Sequence, residues 1–124
     1  MAQIADQRVA LFTKTCLPGL MERYRPALVL LFGSRARGSA LASQSDLDLL
    51  IVSEAFGGMP FLSRAQEVLW TLQAPIPVEV LCYTPEEYSR KKEEVGIVRV
   101  ASQEGLELSQ TAGKTLGQAS LSAG

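Results

Sequence analysis

No histidine occurs anywhere in these 124 residues. That absence excludes a Ser-His-Asp triad, a histidine general base and any zinc site with histidine ligands. An enzyme built from this chain takes its base from a carboxylate, and any metal it holds is hard and bound through oxygen. Cysteine is scarce. Cys16 and Cys82 are the only two, both in apolar-patterned segments, so buried free thiols are expected rather than a disulfide. Neither sign of charge is in excess: 12 basic residues stand against 13 acidic ones, a net charge of -1. This speaks against a general polyanion binder and leaves room only for a local basic patch. No apolar run reaches the length of a membrane span. The opening MAQIADQRVALFTKT lacks the basic, apolar, small-residue order of a secretory signal, so a cytoplasmic protein is expected.

What is present suits a globular domain: 47% hydrophobic and 20% charged residues, enough chain for one modest core. Ile4, Val9, Leu11, Phe12, Cys16, Leu20 and Tyr24 recur at helical spacing, with Asp6 as cap or first-turn acid. Pro18-Gly19 predicts a kink or two short helices meeting there, and Arg25-Pro26 closes the unit. Residues 27–32 form an unbroken apolar run ended by Gly33, the pattern of a strand buried on both faces. A small-residue turn follows over 33–42. A second buried strand is expected over 47–52, a helix with an apolar face from Phe61 to Leu72, and a third strand over 78–83. Thr84-Pro85-Glu86-Glu87 is a helix start, with a Thr cap, Pro at the first position and acids in the first turn. The run Arg90-Lys91-Lys92-Glu93-Glu94 reads as the solvated face of that helix. Residues 95–108 fit either a last helix or a short strand. One domain over 1–109 is expected, with 110–124 as a disordered tail whose only charge is Lys114.

Most of the chemistry lies in residues 31–53, LFGSRARGSALASQSDLDLLIVS. The glycine spacing of Gly33 to Gly38 is that of a P-loop. However, Ser39 stands where the phosphate-binding lysine belongs and Ala40 where the magnesium-binding hydroxyl belongs, so that reading fails. A dinucleotide fingerprint is absent. What remains is a Gly-Ser turn after one strand and Asp-x-Asp at the start of the next. Strand alternation puts Asp46 and Asp48 on one face, roughly 7 Å apart, where they repel unless a cation lies beside them. A bare Asp-x-Asp is more often a solvated pair. Two features shift the balance. The glycine turn can bring backbone N–H groups to a phosphate, with the Ser34 hydroxyl as a further donor. Glu79, the only charge in the third strand, is either an outward residue on an edge strand or a third carboxylate on the same face. The second case requires its strand to lie beside that of the aspartates. Three carboxylates with a phosphate cradle describe two-metal phosphoryl or nucleotidyl transfer.

Leu-Phe-Gly-Ser-Arg-Ala-Arg-Gly followed by Ser-Asp-Leu-Asp-Leu-Leu-Ile-Val resembles the minimal nucleotidyltransferase domain of the polymerase-beta-like superfamily, whose signature is Gly-Ser, a spacer, then Asp-x-Asp. Here the spacer is eleven residues. A later strand in the family carries a third acid ahead of a helix start, as Glu79 does ahead of Thr84. The resemblance implies an α+β, two-layer fold: a small mixed sheet with helices packed on it. It also implies a magnesium-dependent enzyme with two ions, moving AMP from ATP as substrate to a hydroxyl acceptor. Gly33 and Ser34 would hold phosphates, with Arg35 and Arg37 as further phosphate contacts. Asp46, Asp48 and Glu79 would bind the metals, and Glu79 would serve as general base. Small members of the family are paired with HEPN toxins. This implies an antitoxin role and a tyrosine of the HEPN partner protein as acceptor. The alternatives are a contact-only binding module without activity and transfer to a small molecule such as an aminoglycoside. An exposed third-strand edge or the first helix could form a homo-oligomer.

Overall fold

The computed structural model describes residues 7–33 and 46–109. Asp6, the turn over 34–42 and the segment 110–124 therefore lie outside the described residues. Two short helices come first: α1 (Gln7–Thr15) and α2 (Leu17–Tyr24). They part at Cys16, two residues ahead of the Pro18-Gly19 pair, because proline fits the first turn of a new helix, where its missing N–H leaves no partner unmet. Arg25 ends α2 in the left-handed conformation, φ 44°, its N–H donating to the Met21 carbonyl. Pro26 then prevents continuation.

Strands β1 (Leu28–Phe32) and β2 (Leu47–Val52) pair antiparallel. A single 3-10 turn, Glu54–Phe56, follows, and α3 (Phe61–Leu72) crosses back to β3 (Val78–Tyr83), which pairs parallel with β2. A parallel neighbour needs such a helical crossover. Helix α4 (Pro85–Lys91) opens on a capping box: Thr84 Oγ1 accepts from the Glu87 N–H while the Glu87 carboxylate accepts from the Thr84 N–H. Both alternatives for 95–108 occur in succession, as α5 (Ile97–Glu104) and the short β4 (Leu106–Glu107), antiparallel to β1. The sheet order is β3-β2-β1-β4, so the described residues form a small mixed four-stranded sheet with five α-helices, an α+β fold. Gly105 lets α5 turn tightly into β4: a methyl group there would lie 2.6 Å from the Ala101 carbonyl oxygen and 3.1 Å from that of Leu31.

Strand alternation distributes the core. Val29, Leu31, Leu47, Leu49, Ile51, Val80 and Cys82 face α1, α2 and α3, where Phe12, Leu17, Leu20 and Val68 are buried. Leu30, Phe32, Leu50, Val52 and Tyr83 face the other way, against Val98 and Ala101 of α5. Burial on both faces is why β1 reads as an unbroken apolar run and β2 as one broken only at Asp48. Both cysteines are free and buried, as expected. Burial pushes the Cys82 thiol up to about 12. In the folded protein neither thiol is expected to react with a disulfide reagent at about pH 8, and both should react on unfolding. Fast labelling of either under native conditions would contradict the packing. Among the described residues no helix is long and apolar enough to cross a membrane.

Candidate active site

The second face of the sheet is apolar along β2 until its first turn of chain, where Asp48 replaces a core residue. The register sets Asp48 opposite Phe32 of β1 on one side and opposite Glu79 of β3 on the other. Paired residues of neighbouring strands share a face, so Asp48 and Glu79 lie side by side. Asp46 directly precedes β2, two residues before Asp48. The strand adjacency that Glu79 needed is therefore present, and β3 is also the edge of the described sheet. Glu79 is exposed, while Asp46 and Asp48 are half-buried.

Gly33 ends β1 with φ +83°, a conformation that glycine adopts without strain. A methyl group on it would lie 2.6 Å from Asp48 Oδ2. The missing side chain is what allows the carboxylate to rest against the turn. Gly33→Ala is expected to cost about 1–2 kcal/mol through the left-handed backbone. It should also push the flexible Asp48 carboxylate aside, so ligand binding should fall further than stability does. Calorimetry beside thermal melting reads the two separately.

A cleft of about 450 Å³ opens over Gly33, Asp48 and Glu79. Among the described residues its other walls are apolar, with Phe32, Leu81, and Ile97 and Val100 of α5. Nothing local in the sequence marks Ile97 and Val100 as cleft residues, because only the packing of α5 against β1 brings them there. Ser34, Arg35 and Arg37 lie outside the described residues. Among those described, no three acidic or cysteine side chains converge closely enough to hold one metal ion. The donor chemistry nevertheless fits a hard cation: among the described residues the polar side chains lining this cleft are the carboxylates Asp48 and Glu79, and both thiols are buried elsewhere.

A strongly perturbed carboxylate belongs to a different cluster. Glu87 is held down to about 2, first by the hydrogen bond from Arg64, then by the Thr84 backbone N–H. Arg64, buried in α3, donates Nη1 and Nη2 to the two Glu87 oxygens at 2.6 and 3.2 Å. It also donates to the carbonyls of Met59 and Cys82. Its role is to fasten α3, β3 and α4 together.

The family described as nucleotidyltransferase domain matches residues 14–105. No curated protein matches the chain. Among solved structures, a candidate nucleotidyltransferase from Sulfolobus solfataricus is similar at 24% identity and a TM-score of 0.49, over 73% of this chain and 80% of that one. BolA1 from Arabidopsis thaliana is similar at 19% identity and a TM-score of 0.48, over 60% of this chain and 93% of that one.

Proposed function

This chain belongs to the nucleotidyltransferase domain family, and we propose that it transfers AMP from ATP to a hydroxyl acceptor in a magnesium-dependent reaction. The observation that carries this reading is the parallel register of β2 and β3, which sets Glu79 beside Asp48 at the Gly33 turn. Asp46, Asp48 and Glu79 would hold two magnesium ions through their carboxylate oxygens. When bound, such cations offset charge on the triphosphate and on departing pyrophosphate. Gly33 gives the triphosphate close backbone approach, with Ser34, Arg35 and Arg37 as its further contacts. In the transfer, the acceptor oxygen bonds to the α-phosphorus as the bond from that phosphorus to the bridging oxygen of pyrophosphate breaks. The acceptor proton passes to the Glu79 carboxylate.

The acceptor we propose is a tyrosine of a HEPN-type partner. The apolar walls of the cleft support an acceptor with an aromatic body. A polycationic aminoglycoside would call for more acid there, and an RNA end for basic walls. The test is incubation of the protein with magnesium, α-labelled ATP and the partner. Label should appear on a partner tyrosine and require magnesium. Full labelling in the presence of a chelator would rule the reading out.

A further inference from the structure

At the far end of β3 from the acid cleft lies a smaller pocket of about 300 Å³, lined by Phe61, Tyr83, Glu87, Arg90 and Lys91. Among the described residues the two sites have no lining residue in common. Glu79 and Tyr83 are four residues apart on β3, which separates the sites by roughly 13 Å of strand. The ring centroids of Phe61 and Tyr83 lie 5.3 Å apart, and Phe61 is 43% exposed. Tyr83 is only 8% exposed, yet among the described residues its hydroxyl has no hydrogen-bond partner. A buried phenol O–H ordinarily finds one. Burial raises the pKa of this phenol, and the Glu87 carboxylate raises it further, which sets the hydroxyl on the Glu87 side, toward the pocket.

We propose that this pocket binds a small aromatic anion, a flat ring carrying a carboxylate or a phosphate. Its volume is at the small end for ligand pockets, enough for one ring and its charged group. Phe61 and Tyr83 supply the surface for the ring. Charge selects the anion. Glu87 is the one acid among the described lining residues, and Arg64 takes both of its oxygens, so it has little left to offer a cation. Arg90 is exposed and forms no ion pair among the described residues. Lys91 reaches only Glu94, at 3.8 Å, with both side chains more than half exposed. Two positive groups therefore line the pocket without a close counter-charge. A guanidinium fork matches the oxygens of a carboxylate or phosphate. The Tyr83 hydroxyl, a buried donor, gains the acceptor it lacks. A cation would meet Arg90 and Lys91, and a wholly apolar ligand would leave that hydroxyl unmet.

The probes are benzoate and phenyl phosphate, with benzyl alcohol as the uncharged control. Each is titrated into the full chain without magnesium or nucleotide and followed by amide NMR. Both anions should move the amides of Tyr83 and of residues 87–91, with a Kd on the order of 0.1–1 mM for ligands of this size. Benzyl alcohol should bind about tenfold more weakly, and Arg90→Gln should weaken both anions by about the same factor. Tyr83→Phe should weaken them severalfold. Its melting temperature should equal or exceed that of wild type, because the change deletes a buried hydroxyl that no protein group satisfies. Asp48→Ala should bind both anions as wild type does, whatever becomes of nucleotidyl transfer. Undiminished binding to Arg90→Gln, or shifts at the acid cleft instead, would overturn the proposal. So would equal binding of benzyl alcohol, or no binding of either anion up to about 10 mM. A marked fall in melting temperature in Tyr83→Phe would overturn it as well, by showing the hydroxyl already satisfied within the protein.

Discussion

Asp48→Ala is expected to abolish nucleotidyl transfer while leaving the protein folded. The residue sits at the centre of the candidate site, flanked across the sheet by Phe32 and Glu79, with Gly33 making room for its carboxylate. Removing a charge that acts on developing phosphate and leaving-group charge in a partly enclosed cleft costs about a thousandfold in rate. The core loses little, because Asp48 is half-buried and the apolar neighbours Leu47, Leu49 and Leu50 stay in place. Magnesium-dependent ATP binding by calorimetry, label transfer and the melting temperature form the decisive set. Binding and transfer should both collapse with the melting temperature within a few degrees of wild type. Transfer at the wild-type rate would remove Asp48, and with it the site, from the reaction. Glu79→Gln separates the roles further. It should keep more ATP binding than Asp48→Ala and lose transfer, as expected of a residue that receives the acceptor proton.

The second large effect concerns stability. Arg64→Ala removes a guanidinium that is 5% exposed and makes four hydrogen bonds: to the Met59 carbonyl at 3.0 Å, the Cys82 carbonyl at 3.2 Å and both Glu87 oxygens. It leaves the Met59 and Cys82 carbonyls without this donor, and the partly buried Glu87 carboxylate with only the Thr84 N–H among the bonds named above. Breaking a buried pair from one side costs about 3–5 kcal/mol. The Glu87 side chain is 31% exposed and regains some water, so the lower end applies, a fall in melting temperature of roughly 10–15 °C. Arg64 also protects the sheet edge. The Tyr83 carbonyl accepts from Ser53 N–H inside the sheet, so that of its neighbour Cys82 points outward, and Arg64 occupies it. The variant is expected to aggregate more readily as well as melt earlier.

The pH dependence follows from Glu87. Its folded value, about 2, lies below its ordinary 4.5. Its contribution to stability is therefore fully present above about pH 4.5 and is lost as the pH falls through about 2. The stability gap between wild type and Arg64→Ala should narrow over that window. A gap that stays constant from neutral pH down to about 2 would mean that the ion pair contributes nothing and that only the carbonyl contacts matter.

Much of this fold is written locally. The run that became β1 is continuous and apolar, those that became β2 and β3 are apolar apart from Asp48 and Glu79, and the stripe from Phe61 to Leu72 has helical spacing. Thr84 and Glu87 encode their own capping box three residues apart, and the buried thiols follow from their apolar surroundings. Each signal involves residues within a turn or two of one another, whose backbone geometry links them before any tertiary contact forms. The helix break was legible in kind but displaced to Cys16, because proline is accepted inside a helix's first turn. Residues 95–108 were ambiguous because the segment changes state at Gly105, where close approach to the Leu31 carbonyl decides the geometry.

The site divides along the same line. By itself the sequence determined that Asp46 and Asp48 stand two residues apart where the second strand begins, that a glycine follows the first strand, and that histidine chemistry is excluded. The tertiary structure alone decided that β3 lies parallel beside β2, which turns Glu79 from an edge charge into a neighbour of Asp48. It also decided that α5 supplies the apolar wall, and that Arg64, 23 residues from Glu87, is a buried anchor instead of a surface charge. The reason is that strand order and helix placement are set by burying both faces of one sheet at once, a condition on the whole chain that no single segment carries.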